Sequence, residues 1–200
     1  LGKRIIDSRP LIKENNLWNV ATYLWNEEQM DATLKLNGLD TNVSWIDADG
    51  NSLSTLYQVP DENDCIACHQ ANSAPIPLGT TLRNLNRHVD RNGNKQNQIT
   101  YLQGLGVVRD FPLGPIDQII DYSDPSYSLA DRSRAYLDLN CAHCHNPYAW
   151  EKSSERQFDF RYETPFDETG INREEDRIRD ALLEMEMPFI GVTLLDQEGV

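Results

Sequence analysis

Cys65-Ile66-Ala67-Cys68-His69 and Cys141-Ala142-His143-Cys144-His145 are one pattern, Cys-x-x-Cys-His, written twice, and together they use all 4 cysteines of the chain. Cys-x-x-Cys sets two thiols about one helical turn apart, which suits thioether bonds to the two vinyl groups on one edge of a haem. The histidine that follows then faces the iron. Two covalently attached haem c groups are therefore expected, on Cys65 and Cys68 and on Cys141 and Cys144, with His69 and His145 as proximal iron ligands. The other ring nitrogen of each histidine needs an acceptor such as a backbone carbonyl to orient it. A lone Cys-x-x-Cys also occurs in zinc half-sites and redox pairs. A zinc site of Cys65, Cys68, Cys141 and Cys144 is the competing reading, and it leaves both histidines idle.

Two irons need, or deliberately lack, two further axial ligands. Met187 is the first candidate, because Glu186-Met187-Pro188-Phe189-Ile190-Gly191 follows the second motif and sets a thioether at a helix end before a rigid proline. Met185 stands two residues away, on a different helix face, and is expected to pack. For the first iron the candidates are His88, which follows an expected helix, Met30 in the β-rich part, or an open position. His143 lies between the cysteines of its own motif and cannot readily turn back onto that iron, so it is expected to be exposed or near the haem edge.

Outward from the motifs, the pattern divides near residue 60. Strand-like runs at 4–12, 17–25, 31–36, 43–46 and 53–57 are broken by Asn, Asp and Gly. Asp47-Ala48-Asp49-Gly50-Asn51 between two of them reads as a hairpin turn rather than a calcium loop, whose twelfth position would be Gln58. Beyond Pro60, helices are expected at 81–87, 96–105, 129–140 and 173–186, the last stopped by Pro188. The fold class is therefore α+β: an N-terminal antiparallel β-rich unit, 1–60, then a mostly α-helical di-haem cytochrome c region, 61–200, divided as 61–125 and 126–200. Trp18, Trp25, Trp45 and Trp150 are first of all core material.

The chain of 200 residues has a formal net charge of -14. Such a surface repels nucleic acid and anionic membranes, and suits solubility or a basic redox partner. No apolar run approaches the length of a membrane span, and the start at Leu1 lacks a basic and apolar leader, so the chain is expected to be mature or truncated. Haem attachment in bacteria is performed outside the cytoplasmic membrane, which implies a periplasmic or extracellular location. With its cysteines committed, the chain keeps no pair for a structural disulfide.

A longer series of residues carries a resemblance. It comprises Tyr23-Leu24-Trp25-Asn26-Glu27-Glu28-Gln29, Val59-Pro60 before the first motif, Pro77-Leu78-Gly79, Arg83-Asn84-Leu85-Asn86-Arg87 and Asn97-Gln98. It continues with Arg134-Ala135-Tyr136-Leu137-Asp138-Leu139-Asn140, Phe160-Arg161-Tyr162-Glu163-Thr164-Pro165, Thr169-Gly170 and Met187-Pro188. In these residues nearly the whole chain resembles a family of exported bacterial di-haem c-type cytochrome proteins. The resemblance implies haem attachment through Cys65, Cys68, Cys141 and Cys144, proximal His69 and His145, and Met187 as an axial ligand. It implies no particular reaction. A Thr-like residue is expected where Met30 stands, His88 is outside the shared pattern, the 170–187 segment is shorter than in some relatives, and both chain ends are expected to be incomplete.

Three functions compete. The first is electron transfer between a redox enzyme and a downstream acceptor. The second is a di-haem peroxidase-like oxidoreductase with one five-coordinate haem, for which Glu62, Asp64 or His88 would have to provide acid-base chemistry. The third is a cytochrome module of a larger carbohydrate-related or dehydrogenase assembly, with the β part binding the partner.

Overall fold

The computed structural model describes residues 4–72, 74–110, 114–149, 158–190, 195–197 and 199. The chain is α+β, with antiparallel strand pairs and short helices. It forms two compact units, Leu1–Pro77 with Leu137–Val200, and Leu78–Tyr136. This division differs from the expected boundaries at 60 and 125, because the segment after residue 136 returns to the N-terminal part.

In the first unit, β1 (Asp7–Ser8), β4 (Tyr23–Trp25) and β5 (Ala32–Leu34) form a three-stranded sheet in the order β1-β4-β5. Between them β2 (Leu11–Glu14) and β3 (Leu17–Val20) make a hairpin whose loop is Asn15-Asn16, at φ 49° and 66°. Two successive positive φ angles match the right-handed twist of the flanking strands, and asparagine tolerates them better than most residues. The expected runs 4–12 and 17–25 are thus each split. Pro10, which has no N–H for a ladder, separates β1 from β2.

The longest pair is β6 (Leu39–Ile46) with β7 (Ser52–Val59), in register from Leu39 opposite Val59 to Ile46 opposite Ser52. Alternation along β6 turns Leu39, Thr41, Val43 and Trp45 to its more buried face. The turn forms as the sequence predicts. Asp47 accepts from the Asn51 side-chain amide at 2.9 Å and from the N–H groups of Asn51 at 2.8 Å and Asp49 at 2.9 Å, and these bonds, the Asn51 side chain first, hold its carboxyl below the usual range. Tyr57 donates to Asp7 at 3.0 Å, and Arg9 reaches both, joining the hairpin to β1.

α1 (Glu62–Cys68) follows β7 directly. Next come the two-residue strands β8 (Gln70–Ala71) and β9 (Ala74–Pro75). α4 (Leu129–Asn140) has the bounds expected from sequence. Its end carries the chain into a core of Leu137, Ala142, Phe158 and Phe160, against which Cys141, Ile171 and Ile178 pack. Asp138 accepts the Tyr162 N–H at 2.8 Å, and the fully buried Thr169 accepts the Ile171 N–H through its hydroxyl at 3.2 Å. The last helix, α5 (Glu175–Leu183), is shorter than expected. A 3-10 turn, Ile171–Arg173, precedes it, and Met185 at φ 55° breaks the helical path before Pro188 is reached.

The second unit holds α2 (Leu82–Leu85), the strands β10 (His88–Arg91) and β11 (Asn94–Asn97), and α3 (Gln98–Gly104). Strands therefore continue past residue 60, contrary to the expectation that the β signal ends there. The signal was Asn92-Gly93, a two-residue loop at φ 56° and 84° between paired strands. Because β11 takes Gln96 and Asn97, the helix expected at 96–105 begins at Gln98 with Asn97 as its cap. Asn97 also donates to Asn86 at 2.8 Å, and Asn86 donates to the Ile116 carbonyl at 2.6 Å.

Gly38 tests this packing. It sits at φ 59°, and a Cβ there would come 2.7 Å from the Val59 carbonyl oxygen and 3.0 Å from the Asp61 nitrogen. Gly38→Ala is therefore expected to destabilise the fold by about 2 kcal/mol in chemical denaturation. Unchanged stability would contradict the close approach of the Gly38 turn to the start of α1.

Candidate functional site

Both cysteine motifs lie in the first unit. The first is presented by α1, which starts with a reciprocal capping box. Asp61 accepts the Asp64 N–H at 2.8 Å, and Asp64 accepts the Asp61 N–H at 3.1 Å. One turn later come Cys65 and Cys68. His69 closes the helix, its N–H donating to the Cys65 carbonyl at 2.8 Å.

The β8–β9 pair then folds the chain back, so that the Ile76 N–H donates to the His69 carbonyl at 2.9 Å. In return His69 Nδ1 lies 3.1 Å from the Ile76 carbonyl oxygen. A carbonyl only accepts, so Nδ1 of the neutral ring carries the proton and Nε2 keeps its lone pair. This is the orientation that a metal-binding histidine requires.

The second motif continues from α4 as a turn. Cys141 and Ala142 both donate their N–H to the Leu137 carbonyl, at 2.9 and 3.0 Å, and Cys144 and His145 donate theirs to the Cys141 carbonyl, at 3.0 and 2.8 Å. Asn146 closes the turn by donating to the Ala142 carbonyl at 2.8 Å. The His145 ring stands among aromatic rings, 5.8 Å from Phe158 and 5.2 Å from Phe160, centroid to centroid, and Phe158 and Phe160 stack on each other at 5.0 Å. The Phe160 N–H donates to the His145 carbonyl at 3.0 Å, so backbone and ring fix His145 together.

The two motifs meet. The ligand atoms of Cys68, His143 and Cys144 all lie within 4.8 Å of one another, half-buried, and form the one such cluster among the described residues. Cys144 Sγ is also 3.9 Å from the Ala67 carbonyl oxygen, and the Asn72 N–H donates to the Tyr148 carbonyl at 3.0 Å. Hydrogen bonds from Cys144 and His143 hold the Cys68 thiol well below its ordinary range. Cys144, the donor in that pair, is raised. Burial pushes Cys141 up to about 11 and also raises Cys65.

The other candidates are placed differently. Met187 follows α5 and is 37% exposed, in a run of exposed apolar side chains with Leu183, Met185 and Phe189. Met30 is 83% exposed. His88 is exposed on β10 of the second unit. Asp64 is engaged in the capping box, while Glu62 is exposed. Trp18, Trp25 and Trp45 are half-buried on strands, and Trp150 and Gly191 lie outside the described residues. Sequence reasoning missed the role of His143 at the junction, because nothing local to it signals a contact with Cys68.

The donor set fits haem at the first motif, where two thiols one helical turn apart precede a histidine already oriented through Nδ1. At the second, the histidine is fixed among aromatic rings beside the buried Cys141. Comparison with family models, curated proteins and solved structures finds no match to this chain. The meeting of the motifs is testable without any cofactor. Mild diamide oxidation of the reduced, haem-free chain is expected to join Cys68 to Cys144 before either within-motif pair. Peptide mapping that found Cys65–Cys68 or Cys141–Cys144 first would contradict it.

Proposed function

We propose that the chain is an exported di-haem c-type cytochrome, acting in electron transfer between a redox enzyme and a downstream acceptor. The observation that carries this reading is the doubled Cys-x-x-Cys-His with His69 Nδ1 committed to a backbone carbonyl. On this reading Cys65, Cys68, Cys141 and Cys144 bind two haem c groups covalently. His69 and His145 are the proximal ligands, and Met187 is an axial ligand of the second iron.

When bound, each haem supplies an iron that takes up or gives up one electron. The chain does the rest. Ile76 fixes the His69 ring through its carbonyl and so keeps the proton on Nδ1 and the lone pair on Nε2. Phe158 and Phe160 surround His145 with apolar surface, which excludes water and lowers the local dielectric. A thioether such as Met187 raises the potential of the iron it binds, so different axial ligands on the two irons set a gradient between them. The net charge of -14 favours a basic redox partner, with association that weakens as salt rises. Haem attachment outside the cytoplasmic membrane places the protein in the periplasm or outside the cell.

A second reading rests on its own observation. Cys68, His143 and Cys144 supply three of the four donors that a structural zinc site takes. The two readings exclude each other, since a sulfur held in a thioether has no thiolate to give.

Pyridine haemochrome and metal analysis of protein made in a host with haem-attachment machinery are expected to give two haems and no zinc per chain. Stoichiometric zinc without haem would overturn the cytochrome reading. In the holoprotein, Met187→Ala is expected to lower the potential of one haem and remove a methionine-to-iron absorption band. Unchanged spectra and potentials would remove Met187 from the ligand set.

A further inference from the structure

We propose that Cys68, His143 and Cys144 form a three-coordinate site for one soft monovalent cation, Cu(I), on the chain before haem is attached. The proposal rests on the metal reading of this cluster, narrows it to one class of ion, and requires no haem to be present.

The cluster takes a thiol from the first motif and a thiol and an imidazole from the second. The three ligand atoms lie within 4.8 Å of one another, and all three residues are half-buried. Metal–ligand bonds of about 2.0–2.3 Å set donors around one ion roughly 4 Å apart, so the cluster needs little closing. Backbone outside the donors also ties the two turns together, since the Asn72 N–H donates to the Tyr148 carbonyl at 3.0 Å.

Donor count and donor type select the ion. A structural zinc site closes its shell with four protein ligands, and among the described residues no fourth His, Cys, Asp or Glu joins these three. Thiolates are soft and select Cu(I), whose filled d shell is satisfied by three ligands in a plane. The other motif residues are held elsewhere. His69 turns Nδ1 to the Ile76 carbonyl, the His145 ring stands against Phe158 and Phe160, and Cys141 packs on the core.

Binding displaces the two thiol protons and changes no oxidation state. One cysteine of each motif is then held as a thiolate, so a single ion closes both motifs to thioether formation. Thioether formation in turn removes the site. Cation and haem are therefore alternative occupants of the same cysteines.

Anaerobic titration of the reduced, haem-free full chain with Cu(I), against a chromophoric Cu(I) chelator, tests this, with zinc titrated in parallel. The expected result is one Cu(I) per chain that equimolar zinc does not displace. His143→Ala is expected to weaken binding about tenfold or more. The double variant Cys65→Ser, Cys141→Ser keeps only the two proposed thiols and is expected to bind one Cu(I) as the wild-type chain does. Two Cu(I) per chain, or loss of the ion in the double variant, would assign binding to the separate motifs and overturn the proposal. Zinc held in preference by the same three residues would overturn it and leave the zinc reading standing. Holoprotein shown to carry two haems is expected to bind no Cu(I), and binding there at the same affinity would also overturn the proposal.

Discussion

The chemistry-bearing part of this chain depends on one constraint: the turn that ends α1 and the turn that follows α4 must occupy the same place. Ala67 and Cys144 are 77 residues apart in sequence, yet the thiol of one motif lies against the carbonyl of the other. Closing so long a loop costs conformational entropy, and a few contacts between small turns would not offset it alone. The larger elements hold each turn from behind. The Asp61–Asp64 capping box and the β6–β7 hairpin fix α1, while α4 enters the Leu137, Ala142, Phe158 and Phe160 core and is tied by Asp138 to Tyr162.

The same arrangement accounts for the unevenness of the packing. Buried apolar side chains gather around the second motif, whereas Leu183 at the end of α5 and Met185, Met187 and Phe189 after it stay exposed. The acidic surface has a separate origin. Its 32 acidic against 18 basic residues set the net charge of the chain and say nothing about the fold.

Local signals were legible, and distant ones were not. The bounds of α4 follow from the Asp124-Pro125-Ser126 start signal before it and the second motif after it, and the Asp47–Asn51 turn follows from Asp-Gly between two strands. The hairpin β10–β11 was equally readable from Asn92-Gly93, but the expectation of helices after Pro60 hid it. Proline and positive φ angles shorten elements that the sequence predicts, as at Pro10 and Met185. The motifs themselves stand in the sequence. Their meeting does not, because no spacing rule links residues so far apart, and the Nδ1 contact of His69 appears only once the β8–β9 turn returns Ile76 to it.

The most direct measurement of the central claim is intact mass spectrometry of the mature protein under denaturing conditions, with peptide mapping of both motifs. Denaturation releases any ligand held by coordination and keeps what is bonded through sulfur. The account predicts two haem masses retained per chain, one on the peptide with Cys65 and Cys68 and one on the peptide with Cys141 and Cys144. The bare polypeptide mass, with four free thiols, would contradict it.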